Sequence, residues 1–400
     1  MSAMRHLALF AAACALAACA STSTPTRPGP STAGPAVEDT FRLQPTDFSA
    51  LPDWSSADLA PALLALRRTC DARRARTPEA NWSTVGIYGG TMRDWAPACA
   101  AAFAVAPGSE RQFFEQYFTP HIVRGPGEAR LTAYYEPMIQ ARRYSAPGFT
   151  EPLVRAPTDI VAVDVAAFAE AYDDATLRGA PRRLTGQLRD GVVRPYPKRA
   201  ELAPRGDQII AWAHPVDVYN LQVQGSGRLQ FEDGTYARAA YASQNGYRWN
   251  SALGALRNAG EMPNGATWHN FRNWADERTP DAVRAALNAD PSYVFFSLEG
   301  IDDPSAGPRG AAGIPLTPMG SIAVDPAFHP YGAIVFVDGT FDDAPFRRLL
   351  VTQDTGGAIR RGPQRGDVFM GSGPEAGDRA QRMNAPARWW TLLPRGVPVA

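Results

Sequence analysis

The stretch Val351–Gly373, VTQDTGGAIRRGPQRGDVFMGSG, gathers the residues best suited to chemistry. An apolar run, Leu349-Leu350-Val351, leads into Gln353-Asp354. Glycines follow at Gly356, Gly357 and Gly362. Gly366-Asp367 then opens a second short apolar run, Val368-Phe369-Met370. The pattern predicts two buried strands joined by a glycine-rich loop, with one acid where the first strand ends and another where the second begins. Strands fix the backbone, and glycines let a ligand come close to the main chain. A fixed carboxyl beside such an opening is what general acid catalysis needs. The same residues also fit ordinary turns, because Asp-Thr-Gly and Gly-Asp are common turn sequences. Taken alone, the stretch leaves both readings open.

The elements around it must position those acids. Asp58–Arg74 reads as a helix, with Asp58 as its cap, Pro61 in the first turn and Leu59, Leu63, Leu66 and Cys70 on one face. Ser109–Phe118 carries a capping-box pattern and an aromatic stripe, Phe113, Phe114, Tyr117 and Phe118, suited to a core. From Arg130 the texture changes to strands and turns. Leu131–Pro137 alternates, Val163–Tyr172 predicts a helix, and Val216–Val223 alternates as a strand that Gly225-Ser226-Gly227 would end in a turn. That Gly-x-Gly lacks the third glycine and the lysine of a phosphate loop, so a nucleotide site is rejected. Asn250–Gly260, Trp268–Glu277 and a segment from Pro280, capped by Thr279, read as helices. Short strands follow at Tyr293–Ser297, Ile322–Val324, Ala333–Val337, Arg348–Gln353, Asp367–Met370 and Arg388–Leu393. Their glycine- and proline-rich connections predict a compact barrel: a mainly β chain with peripheral helices, of the α+β class.

Four hundred residues allow roughly two domains with ample core. Forty basic and forty acidic residues cancel, which argues against a nucleic-acid partner. A neutral chain with 10% aromatics suits a neutral ligand such as a glycan. At the amino terminus, Arg5 and His6 precede the apolar run Leu7–Ala18, which ends in Leu16-Ala17-Ala18-Cys19. This reads as a secretory signal, residues 1–18, too short to span a membrane. Residues 19–37, rich in Ser, Thr, Pro and Gly, read as a flexible tether. With Cys14 removed, Cys70 and Cys99 remain, and an exported protein can pair them; their spacing leaves both states open. The five histidines are scattered and show no metal-ligand spacing.

Leu16-Ala17-Ala18-Cys19 resembles the bacterial lipobox, which implies a lipid on Cys19. Ala20 after it resembles the outer-membrane sorting pattern, with the protein facing the periplasm of a Gram-negative bacterium. Several further blocks resemble one family, the membrane-bound lytic murein transglycosylases A (MltA). They are Leu131–Pro137 (LTAYYEP), Gln222–Leu229 (QVQGSGRL), Gln244–Tyr247 (QNGY), Pro291–Phe296 (PSYVFF), Ser321–Asp325 (SIAVD) and Gln353–Gly373. They run in the family's order from about Ala129 to Leu393. One departure is Ala133, where the family usually has glycine. The carboxy-terminal part is similar to the three-aspartate (3D) domain, whose aspartates would be Asp325, Asp354 and Asp367. The resemblance implies a double-psi β-barrel with a second β domain inserted and a glycan groove between them. By that division, 38–124 is a helical part packing on the barrel, 125–245 is the inserted domain and 246–400 is the barrel with the active site.

The implied substrate is the peptidoglycan glycan strand. The implied reaction cuts the β-1,4 bond between N-acetylmuramic acid and N-acetylglucosamine without water, as the muramyl C6 hydroxyl attacks its own C1 and forms a 1,6-anhydro end. An intramolecular nucleophile needs only positioning. One carboxyl can therefore serve as acid and then as base, with no cofactor. The family's acid matches Asp367; residue spacing alone does not separate it from Asp354, its expected neighbour. Asp325, before Pro326, is expected to fix a turn. Tyr135, Gln224, Ser226 and Gln353 are the implied substrate contacts, suited to hydrogen bonds and ring stacking along a sugar chain; Glu136, the best acid on the opposite domain, fits either a substrate contact or a strand-end residue paired with an arginine. Two competing readings are an inverting β-1,4 glycan hydrolase, which needs a second carboxylate and room for a water, and a non-catalytic peptidoglycan-binding lipoprotein.

Overall fold

The structure, a computed structural model, describes residues 40–397 except 179, 181, 182, 358, 360 and 361. The signal, Cys19 and the tether lie outside the described residues.

The principal sheet has nine strands. In spatial order they are Arg42–Pro45, Phe118–Arg124, Arg388–Pro394, Ile334–Phe341, Ala344–Asp354, Ser321–Val324, Arg365–Ser372, Arg130–Glu136 and Asn384–Pro386. Most pairings are antiparallel. Two are parallel: Ser321–Val324 with Ala344–Asp354, and Arg365–Ser372 with Arg130–Glu136. Parallel neighbours need crossovers, and these fold the sheet into a nearly closed barrel. Its inner face is apolar, with Ile322, Val324, Val335, Val337, Leu350, Val368, Met370 and Trp389 packed together. Helices Ala60–Arg73, Met92–Ala102 and Glu110–Tyr117 build a second core against the barrel through Leu63, Leu66, Trp95, Phe114 and Ile334. A disulfide joins the first two of these helices, Cys70 to Cys99, with Cα atoms 5.5 Å apart.

A six-stranded sheet comes next, in the order Val294–Glu299, Tyr236–Gln244, Gly227–Phe231, Met138–Arg142, Ile209–Ala213 and Glu151–Val154. A three-stranded sheet follows, Ile160–Asp164, Arg183–Arg189 and Val192–Pro195. The hydrogen bonding does not divide at residue 245. Val294–Glu299 pairs with Tyr236–Gln244, so the six-stranded sheet reaches residue 299. Conversely, Arg130–Glu136 belongs to the barrel sheet although it precedes the six-stranded one.

One predicted element is wrong in type. Val216–Val223 is not a strand; Pro215–Gln224 is a helix. Pro215 occupies its first turn, His214 accepts the amide of Val216, and Gly225 ends it at φ 86°, a conformation that suits glycine. The alternation misled because the helix is apolar nearly all round. Val216, Val218, Tyr219 and Leu221 are all buried, some against the helical cluster and some beneath the six-stranded sheet.

Candidate active site

Three neighbouring strands build the site. The short strand Ser321–Val324 lies between Ala344–Asp354 and Arg365–Ser372. Ala323 is the register partner of Asp354 on one side and of Asp367 on the other. Directly paired residues project to the same face, so both carboxyls stand on one side of the sheet, two strand spacings apart, or roughly 10 Å between Cα atoms. A register slip makes this possible. Ile322 faces Thr352, yet Ala323 faces Asp354, so the residue between, Gln353, is skipped. Bulges of this kind re-aim a side chain. On Arg365–Ser372, Val368 and Met370 enter the barrel core. Asp367 therefore projects from the opposite face.

Asp354 is held on all sides. Its Oδ1 accepts the amides of Ala311 at 2.9 Å and Thr355 at 2.8 Å, and its Oδ2 accepts the hydroxyl of Tyr134 at 2.7 Å. The Ala311 loop can come this close because Gly310 has no Cβ; one placed there would lie 2.5 Å from the carbonyl of Gln353. Burial raises the Asp354 pKa, and these three donors pull against it. Among the described residues Asp367 has one hydrogen bond to a side chain, Oδ1 accepting from Arg365 Nη1 at 3.1 Å. Burial pushes its pKa up to about 6; Arg365 opposes the shift and the charge of Asp354 adds to it. Of the two acids, Asp367 is thus the one poised to exchange a proton near neutral pH. Tyr134 reaches Asp354 from Arg130–Glu136, across the strand that carries Asp367 and the short strand beyond it. Its hydroxyl pKa is raised well above the usual value by burial and by Asp354, so it acts as a donor.

Two matched segments now have a structural meaning. Residues 130–297 match the MltA specific insert domain, and residues 320–393 match the 3D domain. The chain is 30% identical over 279 residues to membrane-bound lytic murein transglycosylase A of Escherichia coli K12; the alignment spans 66% of this chain and 66% of that relative. A membrane-bound lytic murein transglycosylase structure from Agrobacterium tumefaciens superposes with a TM-score of 0.73 at 30% identity, covering 88% of this chain and 98% of that one. The chain belongs to the MltA family. Within that family, Escherichia coli MltA has been solved with bound chitohexaose, and it superposes with a TM-score of 0.62 at 25% identity, over 89% of this chain and 96% of that one.

The MltA motifs do not all serve a ligand here. Glu136 takes the arginine-paired arrangement of its two expected ones: it is 1% exposed and its carboxylate bonds within the protein. Oε2 accepts Arg228 Nε at 2.8 Å and Ser372 Oγ at 2.5 Å, and Oε1 accepts Arg238 Nε at 2.6 Å. Gln353 also bonds within the protein. It is fully buried, accepts from Ser321 and donates to the Ala65 carbonyl and Thr69, tying the barrel to the first helix. Tyr135 points away from Tyr134, as strand alternation requires; it is buried, its hydroxyl accepts from Asn220 Nδ2 at 2.8 Å, and its ring packs against Gly377. Gln224 is half-buried, with Oε1 accepting the Tyr135 amide at 3.3 Å, and Ser226 is buried just beyond the helix end. Asp325 binds the amides of Ala327 and Gly362, which fixes the turn after its strand and one end of the glycine loop. Two residues at the site were missed from sequence, Tyr134 and Arg365. In LTAYYEP either tyrosine can face the site, and only the barrel register selects the first.

Proposed function

We propose that this chain is a lytic transglycosylase of peptidoglycan. It cleaves the β-1,4 bond between N-acetylmuramic acid and N-acetylglucosamine and leaves a 1,6-anhydromuramyl end. The observation that carries this reading is the inequality of the two carboxyls. Asp367 has a raised pKa, about 6, and, among the described residues, one side-chain partner, whereas Asp354 accepts from three donors. Protonated Asp367 gives its proton to the leaving glycosidic oxygen. Its carboxylate then takes the proton of the muramyl C6 hydroxyl as that oxygen bonds to C1. The carboxyl returns to its starting state. Asp354 holds Tyr134 and the Ala311 loop in place, and its charge adds to the burial that keeps the Asp367 proton bound. An inverting hydrolase would need a second carboxylate free to activate water; both oxygens of Asp354 already accept from the protein. The chitohexaose held by the Escherichia coli relative supports a glycan strand as the ligand.

Mass spectrometry of the soluble products from purified sacculi tests the reaction. The expected products are lighter by one water than hydrolytic muropeptides. Products with reducing ends would make this a hydrolase. A second measurement tests the role of Asp354. Burial is the main cause of the raised Asp367 pKa and the Asp354 charge adds to it; Asp354→Asn removes that added part, so the falling high-pH limb of kcat/KM is expected to move modestly to lower pH. A limb that stays in place would remove Asp354 from that role.

The protein is further proposed to be an outer-membrane lipoprotein facing the periplasm, acylated on Cys19 and tethered through residues 19–37. The lipobox-like Leu16–Cys19 and the name of the curated relatives, membrane-bound, support this. Among the described residues no helix is long and apolar enough to cross a membrane. Cys19→Ser is expected to move the protein from the membrane pellet to the soluble fraction; retention in the pellet would refute a lipid anchor at this residue.

A further inference from the structure

The strand that carries Asp367 also carries Arg365, two residues earlier and so on the same face. Its Nη1 donates to Oδ1 of Asp367 at 3.1 Å and to the carbonyl of Gly366 at 2.8 Å. The second bond ties the guanidinium to the strand backbone, so the first is held in one geometry. Side-chain exposure is 12% for Arg365 and 19% for Asp367. An exposed pair would be screened and worth little; a pair this sheltered acts at short range in a less polar setting. The proposed reaction has so far made no use of this cation, although it touches the reacting group.

Building on the reading of Asp367 as the single acid and base, we propose that Arg365 is a positioning residue that fixes Oδ1 of Asp367, leaving Oδ2 as the atom that gives up and takes back the proton. A guanidinium has donors and no acceptor. The oxygen facing it cannot also carry a proton directed at it, so the proton of the neutral acid sits on Oδ2. As the glycosidic oxygen takes that proton, the new carboxylate forms against a cation already in place, which stabilises it without reorganisation. The contact then limits how strongly the carboxylate pulls on the C6 hydroxyl proton, and Asp354 pushes the other way. Among the described residues, the register partners of Asp367, Thr132 and Ala323, carry no titratable group. Tyr134 from the flanking strand Arg130–Glu136, Asp354 from the strand beyond Ser321–Val324 and Arg365 on its own strand are, among the described residues, the charged and titratable groups facing it.

The test is kcat/KM against pH on purified sacculi for wild type, Arg365→Gln and Arg365→Lys, with products identified by mass. Arg365→Gln keeps a donor but loses the charge. Its high-pH limb is expected to rise by about one unit or more, the usual effect of removing an opposite charge at this range. Its maximal rate is expected to fall by roughly 10-fold or more, because the acid is less well aimed. Arg365→Lys keeps the charge, and its limb is expected to stay near that of wild type. A limb that Arg365→Gln leaves unchanged, with anhydro products still formed, would overturn the proposal. Reducing-end products from wild type would sink the transglycosylase reading instead, whatever the limb does. Should Arg365→Gln fail to fold, wild type alone decides by NMR titration. The Asp367 carboxyl carbon and the Arg365 side-chain nitrogens are expected to share one midpoint, and separate midpoints would overturn the contact.

Discussion

Asp367→Asn is expected to abolish release of anhydromuropeptides, lowering turnover by roughly 10³- to 10⁴-fold, because in the proposed reaction one group serves both proton transfers. The amide can accept from Arg365 as the carboxyl does, so the geometry of the strand is kept while the exchangeable proton is lost. Wild-type activity is expected to fall as pH rises through about 6, since the acid must be protonated when it donates. The stability of the variant runs the other way. The folded carboxyl holds its proton more tightly than an unfolded one. Its contribution therefore favours the folded state below the ordinary carboxylate range and is lost as pH rises through about 6. At neutral pH the wild type carries that cost and the Asn variant does not. The variant is expected to melt no lower than wild type at pH 7, and a lower melting temperature would show that lost activity reflects lost structure. Retained activity in a folded Asp367→Asn would transfer the acid role to Asp354.

Much of the site was legible because it is local. Val351–Gly373 contains both acids and the glycines between them, and two short apolar runs were enough to place strands around them. The second carboxyl's role was less legible. It depends on the slip at Gln353 and on donors from Tyr134 and Ala311, residues far away in sequence that only the barrel brings together. The internal bonding of several motif residues was hidden in the sequence for one reason. Glu136, Tyr135 and Gln353 are polar residues at strand positions where a surface and an interface look alike in sequence. Alternation tells which face a residue takes but not what covers that face. The helix Pro215–Gln224 failed for a related reason: with apolar contacts on several sides, it shows no clean period of 3.6.

Glu136→Ala is expected to destabilise the protein by about 3–5 kcal/mol, the usual effect of removing one partner from a buried ion pair. The residue lies at the end of the barrel strand Arg130–Glu136, whereas Arg228 and Arg238 belong to adjacent strands of the six-stranded sheet and Ser372 to a second barrel strand. One carboxylate thus holds two guanidiniums, each 8% exposed, and joins the two sheets. The arginines keep bonds to the carbonyls of Pro304 and Ala306, but those are neutral acceptors. Without Glu136, two buried like charges face each other with nothing to neutralise them. Glu136→Gln is expected to lose less, because it restores an acceptor though not the charge. The midpoint of urea unfolding measures both. A loss below about 1 kcal/mol for Glu136→Ala would mean that water reaches the arginines and that the pairing is no stronger than a surface one. The activity of the folded fraction separates this role from ligand binding. As a bolt between sheets, Glu136 governs how much protein is folded, so kcat per folded molecule should change far less than the unfolding midpoint. A KM that rises steeply at unchanged stability would return Glu136 to the glycan site.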